Sequence, residues 1–138
     1  MKKWILAANA LKYDHKTAFK ENGYVDWYQT RNFEIGDIVY IYCTKPISKI
    51  QYKTVVSKVN QTREDITDDS KYWQTEVDLT RNRFFRLSEP VFIDSTELSI
   101  EVLNKHGLRY APQSPCIANE ELASYIETIF GGKTNGIS

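Results

Sequence analysis

The sequence predicts one α+β domain, in which a mixed β-barrel of about five to six strands carries short helices on its outside. Three observations predict it. The chain has 138 residues, the length of a single domain. Its apolar residues fall in short β-branched and aromatic runs, which are typical of strands. The segments with helical character are short and have capping residues at their ends. A strand-rich mixed domain of this size most readily closes as a small barrel.

The first half of the chain contains the clearest signals. Residues 3–8 are apolar on both faces, which indicates a central strand. Asp14 is a good N-cap for a helix over residues 15–22, and Gly23 ends that helix. Residues 38–43 are β-branched or aromatic except for a final cysteine, so they form the strongest predicted strand. These elements fix the start of the barrel.

The next predicted strand alternates apolar and polar residues over positions 50–59. Ile50, Tyr52 and Val56 would share one face, whereas Lys49 and Lys53 would share the other. A polar loop follows at residues 60–71. Weaker signals predict strands over residues 72–79, 83–87 and 91–93, a helix over residues 99–105, and a last helix from the Asn119 cap to Gly131. We therefore place the domain at residues 1–131 and a frayed tail at residues 132–138.

Charge is balanced overall but uneven along the chain. Residues 1–58 carry ten basic and five acidic side chains, and residues 59–138 carry eight basic and thirteen acidic ones. A basic region on a neutral protein can attract a polyanion, because the local potential governs the attraction. Chance variation over a solvated surface would produce the same pattern. The zero net charge argues against strong nonspecific coating of DNA.

Several classes of protein are excluded by composition and motifs. No apolar run approaches the ~20 residues of a membrane span, and two cysteines, Cys43 and Cys116, form no metal-site spacing or disulfide framework. We therefore expect a cytoplasmic protein without a membrane partner, metal or cofactor. Residues 131–134 resemble the end of a phosphate-binding loop, but Glu127 stands where that loop needs its first glycine. An acidic cluster at residues 64–69 fits a solvated loop better than a cation site. No catalytic residue is predicted.

Aromatic residues carry more information, since they make up 13% of the chain and several lie in polar surroundings. Trp27 is one of these, within a segment that shows no helical or alternating apolar pattern. Such a ring either covers the edge of the core or serves as a platform on which a nucleobase stacks. Asn9, Gln29 and Asn32 lie near the aromatics in sequence, and their amides could read the polar edge of one base.

An ordered set of motifs resembles the EVE domain family of the PUA-like superfamily. The segments that carry the resemblance are residues 3–9, the Asp26-Trp27 pair, the Gly-Asp turn and tyrosine-rich strand within residues 33–42, and the strand from Ile50 to Val59. Weaker similarity continues through residues 84–87 and 103–114 to the final helix, so that it covers about residues 2–130. The resemblance implies a PUA-like β-barrel with peripheral helices and a concave aromatic pocket.

The resemblance also implies a function and several site residues. EVE-like domains read a modified or flipped nucleobase in DNA or RNA, often beside restriction or modification systems. Asn9 matches the pocket-facing polar residue after the family's first strand, and Trp27 matches the family's tryptophan. Tyr42, Cys43 and Thr44 match the end of the second strand, where the family often has a hydrophobic-His-Ser ending.

The predicted nucleobase-binding residues are therefore Asn9, Trp27, Gln29, Asn32, Tyr42 and Thr44. We expect Lys45, Lys49 and Lys53 to hold the flanking phosphates. The partner would be DNA or RNA, including strands with modified bases, and no oligomeric state is assigned. The alternatives are a PUA-like enzyme or small-molecule binder acting on a nucleoside derivative, and a protein-interaction or structural module.

Overall fold

The computed structural model describes residues 1–66, 68, 70–74 and 80–134, with backbone but not side-chain placement for residues 133–134. The strands are β1 (Lys3–Ala8), β2 (Tyr24–Tyr28), β3 (Ile38–Cys43), β4 (Lys49–Gln61), β5 (Phe84–Phe92) and β6 (Cys116–Ile117). The α-helices are α1 (His15–Asn22), α2 (Ile100–Leu103) and α3 (Glu120–Thr134). Short 3₁₀ turns cover Arg63–Asp65, Ser70–Tyr72, Thr96–Leu98 and Asn104–His106. None of these helices is long and apolar enough to cross a membrane.

The strands form one mixed sheet in the order β2-β5-β4-β3-β1-β6. β1 and β3 are parallel, with Trp4 opposite Val39, and the other neighbouring pairs are antiparallel. No strand pairing within the described residues joins β2 to β1 or β6. The fold is therefore α+β as predicted, but hydrogen bonds do not close the predicted barrel.

The sheet nevertheless curls around a core on its concave face. Trp4 of β1 contacts Phe33 with ring centroids 4.5 Å apart, and Phe33 stacks at 4.0 Å on Phe85 of β5. The same cluster includes residues of all five longer strands. Because β1 and β5 are separated by two strands in the sheet, a contact through one ring requires that the sheet bend back on itself.

A second core cluster fills the space between the convex face and α3. Ile5, Tyr40 and Ile50 of the sheet pack there with Leu122 and Ile126 of the helix. β1 thus buries alternate residues on both faces, which explains its continuous apolar sequence. The alternation that we predicted for β4 does not persist over its whole length.

A β-bulge is the reason for that difference. The register of β3 against β4 shifts between Ile41 and Tyr42, so that Ile41 pairs with Tyr52 and Tyr42 pairs with Ile50. An inserted residue moves the following side chains to the other face of a strand. Tyr52 accordingly lies in the concave cluster and Ile50 in the convex one.

The predicted ends of α1 are confirmed, whereas the predicted C-terminal end of α3 is not. The Asp14 side chain accepts a hydrogen bond from the Thr17 backbone at 3.1 Å, and Gly23 ends α1 with a left-handed φ of 77°. α3 begins after Asn119, as predicted, but it continues through Gly131 to Thr134. The expected stop at Gly131 is wrong, because glycine permits a left-handed turn without requiring one.

One strand was missed by the sequence analysis, and one predicted strand needs correction. β2 was not predicted, since Asp26 interrupts the apolar pattern of the segment. The strand expected over residues 72–79 begins instead as the Ser70–Tyr72 turn, followed by a single bridge between Trp73 and Tyr13. The rest of that expected strand, residues 75–79, lies outside the described residues.

Candidate functional site

Two adjoining clefts lie at the seam where the sheet is not closed. The first cleft has a volume of about 170 Å³ and includes Asn9, just after β1, and Trp27 and Tyr28 of β2. The second cleft has a volume of about 160 Å³ and lies between Leu6 and Ala7 of β1 and the same two aromatic residues. Trp27 and Tyr28 therefore border both clefts.

Five aromatic rings line the first cleft: Tyr13, Trp27, Tyr28, Trp73 and Phe84. Tyr13 meets Trp27 at 5.7 Å and Trp73 at 4.9 Å between ring centroids, both edge to face. Tyr28 makes tilted contacts with Trp73 at 5.8 Å and with Phe84 at 5.3 Å. None of these four contacts is a parallel stack, so the rings form a bent apolar wall.

Backbone hydrogen bonds hold the Trp73 side of this wall in place. The Asp14 N–H donates to the Tyr72 carbonyl, and the Gln74 N–H donates to the Lys12 carbonyl, each at 2.7 Å. Tyr72 also donates from its hydroxyl to Glu21 of α1 at 2.7 Å. The segment that carries Trp73 is thus fastened to the turn that carries Tyr13, although the two are distant in sequence.

Asn9 supplies an amide beside the rings. Its Oδ1 accepts a hydrogen bond from the Leu11 N–H at 2.9 Å, and its carbonyl accepts from Lys12 and Tyr13, so the side chain is fixed by its own turn. The amide nitrogen donates to no described residue. Asn9 can therefore offer a hydrogen-bond donor to a guest in the first cleft.

Asp26 is the carboxylate of the first cleft, and it is fully engaged. Arg86 donates to its two oxygens at 2.9 and 3.0 Å, and Gln61 donates from Nε2 at 2.9 Å. The hydrogen bonds to Asp26 raise the pKa of the Arg86 guanidinium further. These three hydrogen bonds occupy the Asp26 carboxylate and tie β2 to β4 and β5.

A cysteine and a histidine also meet beneath the concave face. The Sγ of Cys43 lies 3.5 Å from Nε2 of His15, and both residues are buried. Burial lowers the pKa of His15 and raises the pKa of the Cys43 thiol to about 12. Because the thiolate is the nucleophile, this pair is not poised for covalent catalysis. Within the described part of the chain, no three His, Cys, Asp or Glu side chains are grouped to hold a metal.

Two arginines form a cationic rim beside the rings. The guanidinium carbon of Arg63 lies 5.1 Å from the centroid of Phe84, and that of Arg81 lies 4.7 Å from the centroid of Tyr28. Arg63 also donates from Nη2 to the Arg81 carbonyl at 2.8 Å, which joins their two loops. Arg63 lines the first cleft and Arg81 lines the second. The rim thus runs along both clefts.

The structure places the six predicted nucleobase-binding residues in different surroundings. Asn9 and Trp27 lie together in the first cleft. Gln29 is buried, where it donates to the Arg31 carbonyl at 3.0 Å and accepts from the Asn60 N–H at 2.7 Å. Asn32 is exposed and accepts from Arg83 at 3.0 Å. Neither Gln29 nor Asn32 is among the residues that line the two clefts, and their hydrogen bonds instead join the loop after β2 to Asn60 of β4 and to Arg83.

Tyr42 and Thr44 lie away from Trp27. Tyr42 is buried in the convex cluster, on the other face of the sheet from the first cleft. Thr44 donates its N–H to the Ala8 carbonyl at 2.9 Å, which continues the pairing of β3 with β1. Neither residue is among those that line the two clefts.

The three lysines predicted to bind phosphates are dispersed. Lys45 is exposed in the loop after β3. Lys49 pairs with Asp94 at 2.9 Å, and Lys53 pairs with Glu127 of α3 at 2.6 Å. None of the three lines a cleft beside Trp27. Their phosphate-binding role stays a prediction, and the two ion pairs weaken it because each cation already has a carboxylate partner.

Sequence reasoning did not assign Tyr13, Trp73, Phe84, Arg63 or Arg81 to the site. A signal existed for two of them, since residues 81–86 alternate cations with aromatic rings. No local pattern marks Tyr13 or Trp73, because they meet only through the single bridge between their segments.

Comparisons with known proteins identify the fold. No family model and no curated protein sequence matches the chain. Among solved structures, the ASCH protein from Zymomonas mobilis is similar with a TM-score of 0.63 and 12% identity, over 93% of this chain and 95% of that one. Protein Atu2648 from Agrobacterium tumefaciens has a TM-score of 0.59 and 14% identity, over 95% and 94% of the two chains. Rpa0253 from Rhodopseudomonas palustris has a TM-score of 0.57 and 12% identity, over 95% of this chain and 94% of that one.

These neighbours are ASCH domains, which belong to the PUA-like superfamily, and the chain has the fold of these structures. The comparison supports the α+β fold that the sequence resemblance implied and does not confirm the EVE family. At these identities the likeness concerns the fold alone.

Proposed function

We propose that this domain is a non-catalytic nucleic-acid-binding module that takes one unpaired or flipped nucleobase into the first cleft. The observation that carries the proposal is the first cleft itself, in which Trp27 and four other rings surround a space beside Asn9. Domains with the ASCH and PUA-like fold commonly bind RNA, which makes RNA the first partner to test and DNA the second.

The size and lining of the first cleft suit one aromatic ring. A dry protein cavity of about 150 Å³ accommodates benzene, and the first cleft has about 170 Å³. Stacking a base on an aromatic side chain contributes ~1–3 kcal/mol. Moving a base out of a duplex costs a few kcal/mol, and least where the base is unpaired or damaged. The stacking term is of the same size as that cost, so we expect unpaired bases to be preferred.

Selectivity for one base or modification would come from the polar edge. Asn9 offers an amide donor, and a guest that leaves a buried polar group unpaired loses ~1–3 kcal/mol. That difference corresponds to about 5- to 150-fold in affinity. A methyl group or other modification that changes the edge facing Asn9 would therefore be distinguished without any chemical step.

The cations beside the rings would hold the backbone of the strand. Lys12 and Arg63 line the first cleft, and Arg81 lies next to it. Contacts from such cations to phosphates position a strand without reading its sequence. Because only a few phosphates are contacted by a protein of zero net charge, the salt dependence of binding should be shallow.

Replacement of Trp27 tests the proposal. Labelled single-stranded RNA and DNA oligonucleotides, with standard and methylated bases, are titrated with the protein and followed by fluorescence anisotropy. We expect Trp27→Ala to weaken binding about 5- to 150-fold, because one stacking surface is lost. Trp27→Phe should retain part of the affinity, since it keeps a ring.

Phe92→Ala is the matched control, because Phe92 is an aromatic residue of β5 that is 44% exposed and lies outside both clefts. It should bind as the unmodified protein does. Circular dichroism checks that each variant is folded. A folded Trp27→Ala variant that binds every oligonucleotide normally would overturn the proposal.

A further inference from the structure

The second cleft resembles the first in size but differs in its lining. Three of its lining residues are apolar, namely Leu6, Ala7 and Pro115. Its polar lining residues are Thr30, Arg81, Gln113 and Ser114. Gln113 and Ser114 are exposed, in the segment that precedes β6. A site of this kind can cover the face of a planar ring and contact the ring's polar edge.

The two clefts share two lining residues, Trp27 and Tyr28, which we call the partition. Trp27 and Tyr28 belong to the lining of both, so a guest in either cleft lies against the same side chains. In stacked nucleic acid, successive bases are spaced about 3.4 Å apart along a strand, which leaves no room for a protein ring between them. Two successive bases can therefore occupy the two clefts only if they are unstacked.

Arg81 lies where such a pair of nucleotides would be linked. Its guanidinium carbon is 4.7 Å from the centroid of Tyr28, which is part of the partition, and its side chain lines the second cleft. The phosphate between two nucleotides must pass over whatever separates their bases. Arginine is suited to that phosphate, because its planar fork can donate two hydrogen bonds to phosphate oxygens.

We propose that the second cleft binds the nucleotide next to the inserted base, so that the domain recognises an unstacked dinucleotide step of a single strand. This inference rests on the proposed function. The first cleft takes one base, the partition of Trp27 and Tyr28 stands between the two bases, and Arg81 contacts the linking phosphate. Gln113 and Ser114 face the polar edge of the second base.

A comparison of mononucleotides with dinucleotides tests the inference. The probes are nucleoside 5′-monophosphates of the ribo and deoxyribo series, with standard and methylated bases, and the dinucleotides made from them. Their dissociation constants are measured by isothermal titration calorimetry. We expect the best dinucleotide to bind about 5- to 150-fold more tightly than the better of its two mononucleotides, since one more base stacks on an aromatic side chain.

Variants of the second cleft should remove the extra affinity of dinucleotides over mononucleotides. Arg81→Gln should weaken dinucleotides more than mononucleotides, because the phosphate that links the two nucleotides is present only in the dinucleotides. Gln113→Ala should reduce dinucleotide affinity towards the mononucleotide value, while mononucleotide affinity stays within about twofold. Ser114→Trp, which fills the cleft with a large side chain, should have the same effect by exclusion. Gln51→Ala is the matched control for Gln113→Ala, because Gln51 lies outside both clefts and contacts Asp94. It should change neither affinity.

The failures of the two proposals can be told apart. Dinucleotides that bind no more tightly than mononucleotides, when mononucleotides do bind, would overturn the dinucleotide site and leave the first cleft as proposed. A dinucleotide gain that survives all three variants would also overturn it. If neither class of probe binds, both proposals are wrong.

Discussion

The buried carboxylate of Asp26 provides a direct test of what holds the first cleft together. Asp26 precedes Trp27 on β2, its side chain is 3% exposed, and that of Arg86 is 14% exposed. Three hydrogen bonds of 2.9 to 3.0 Å join it to Arg86 and Gln61. β2 pairs only with β5 among the described strands, so this network is a main attachment of the strand that carries the partition.

The loss of stability expected for Asp26→Ala comes from the Arg86 charge, which remains buried without its partner. Removing one partner of a buried ion pair costs ~3–5 kcal/mol, because the other charge remains buried without compensation. The total stability of a domain is ~5–15 kcal/mol, so this loss is a large fraction. For a chain of this length, 1 kcal/mol shifts the melting temperature by about 4 °C. We expect a decrease of roughly 12–20 °C.

Asp94→Ala is the matched control for this experiment. Asp94 also has one cationic partner and one glutamine partner, Lys49 and Gln51, but its side chain is 57% exposed. Exposed ion pairs contribute less than about 1 kcal/mol. Both variants are measured by urea and thermal unfolding. If Asp26→Ala and Asp94→Ala differ by less than about 1 kcal/mol, the reasoning about buried charge at β2 is refuted.

Two further predictions concern titratable groups in the core. Burial by itself raises the pKa of Asp37, but hydrogen bonds from two backbone N–H groups and the Trp4 indole lower that pKa overall. The free energy of unfolding should therefore fall as the pH drops below about 4, and Asp37→Asn should flatten that part of the profile in urea titrations; an unchanged slope would contradict the assignment. Burial raises the pKa of Cys43 to about 12 and also raises that of half-buried Cys116. Iodoacetamide should then modify Cys116 before Cys43 in the folded protein, and mass spectrometry that finds the reverse order would disprove the burial argument.

The elements that could be predicted from the sequence are those with local signals. β1, β3 and α1 have the predicted bounds, because the pattern of β-branched residues and the Asp14 and Gly23 caps lie within the elements themselves. β2 could not be predicted in this way. Its buried Asp26 is tolerated because Arg86 is its partner, and Arg86 lies 60 positions further along the chain.

The candidate site shows the same division between local and distant information. Asn9 and Trp27 line the first cleft together, and their role in binding a nucleobase stays a prediction. The sequence gives no sign that Lys49 and Lys53 are paired, because their carboxylate partners lie 45 and 74 positions further along the chain. A sequence pattern indicates which side chains are charged, but it does not show which charges the fold has already paired.

The incomplete closure of the barrel and the presence of the clefts have one physical origin. Paired strands lie about 4.8 Å apart, so a hydrogen-bonded ladder between β1 and β2 would leave no space between them. In this fold Leu6 and Ala7 of β1 line the second cleft together with Trp27 and Tyr28 of β2, so that cleft lies along the open seam. Because no ladder joins these two described strands, the seam leaves the space that the proposed guest base would occupy. The feature that the barrel prediction missed is thus the one on which the proposed function depends.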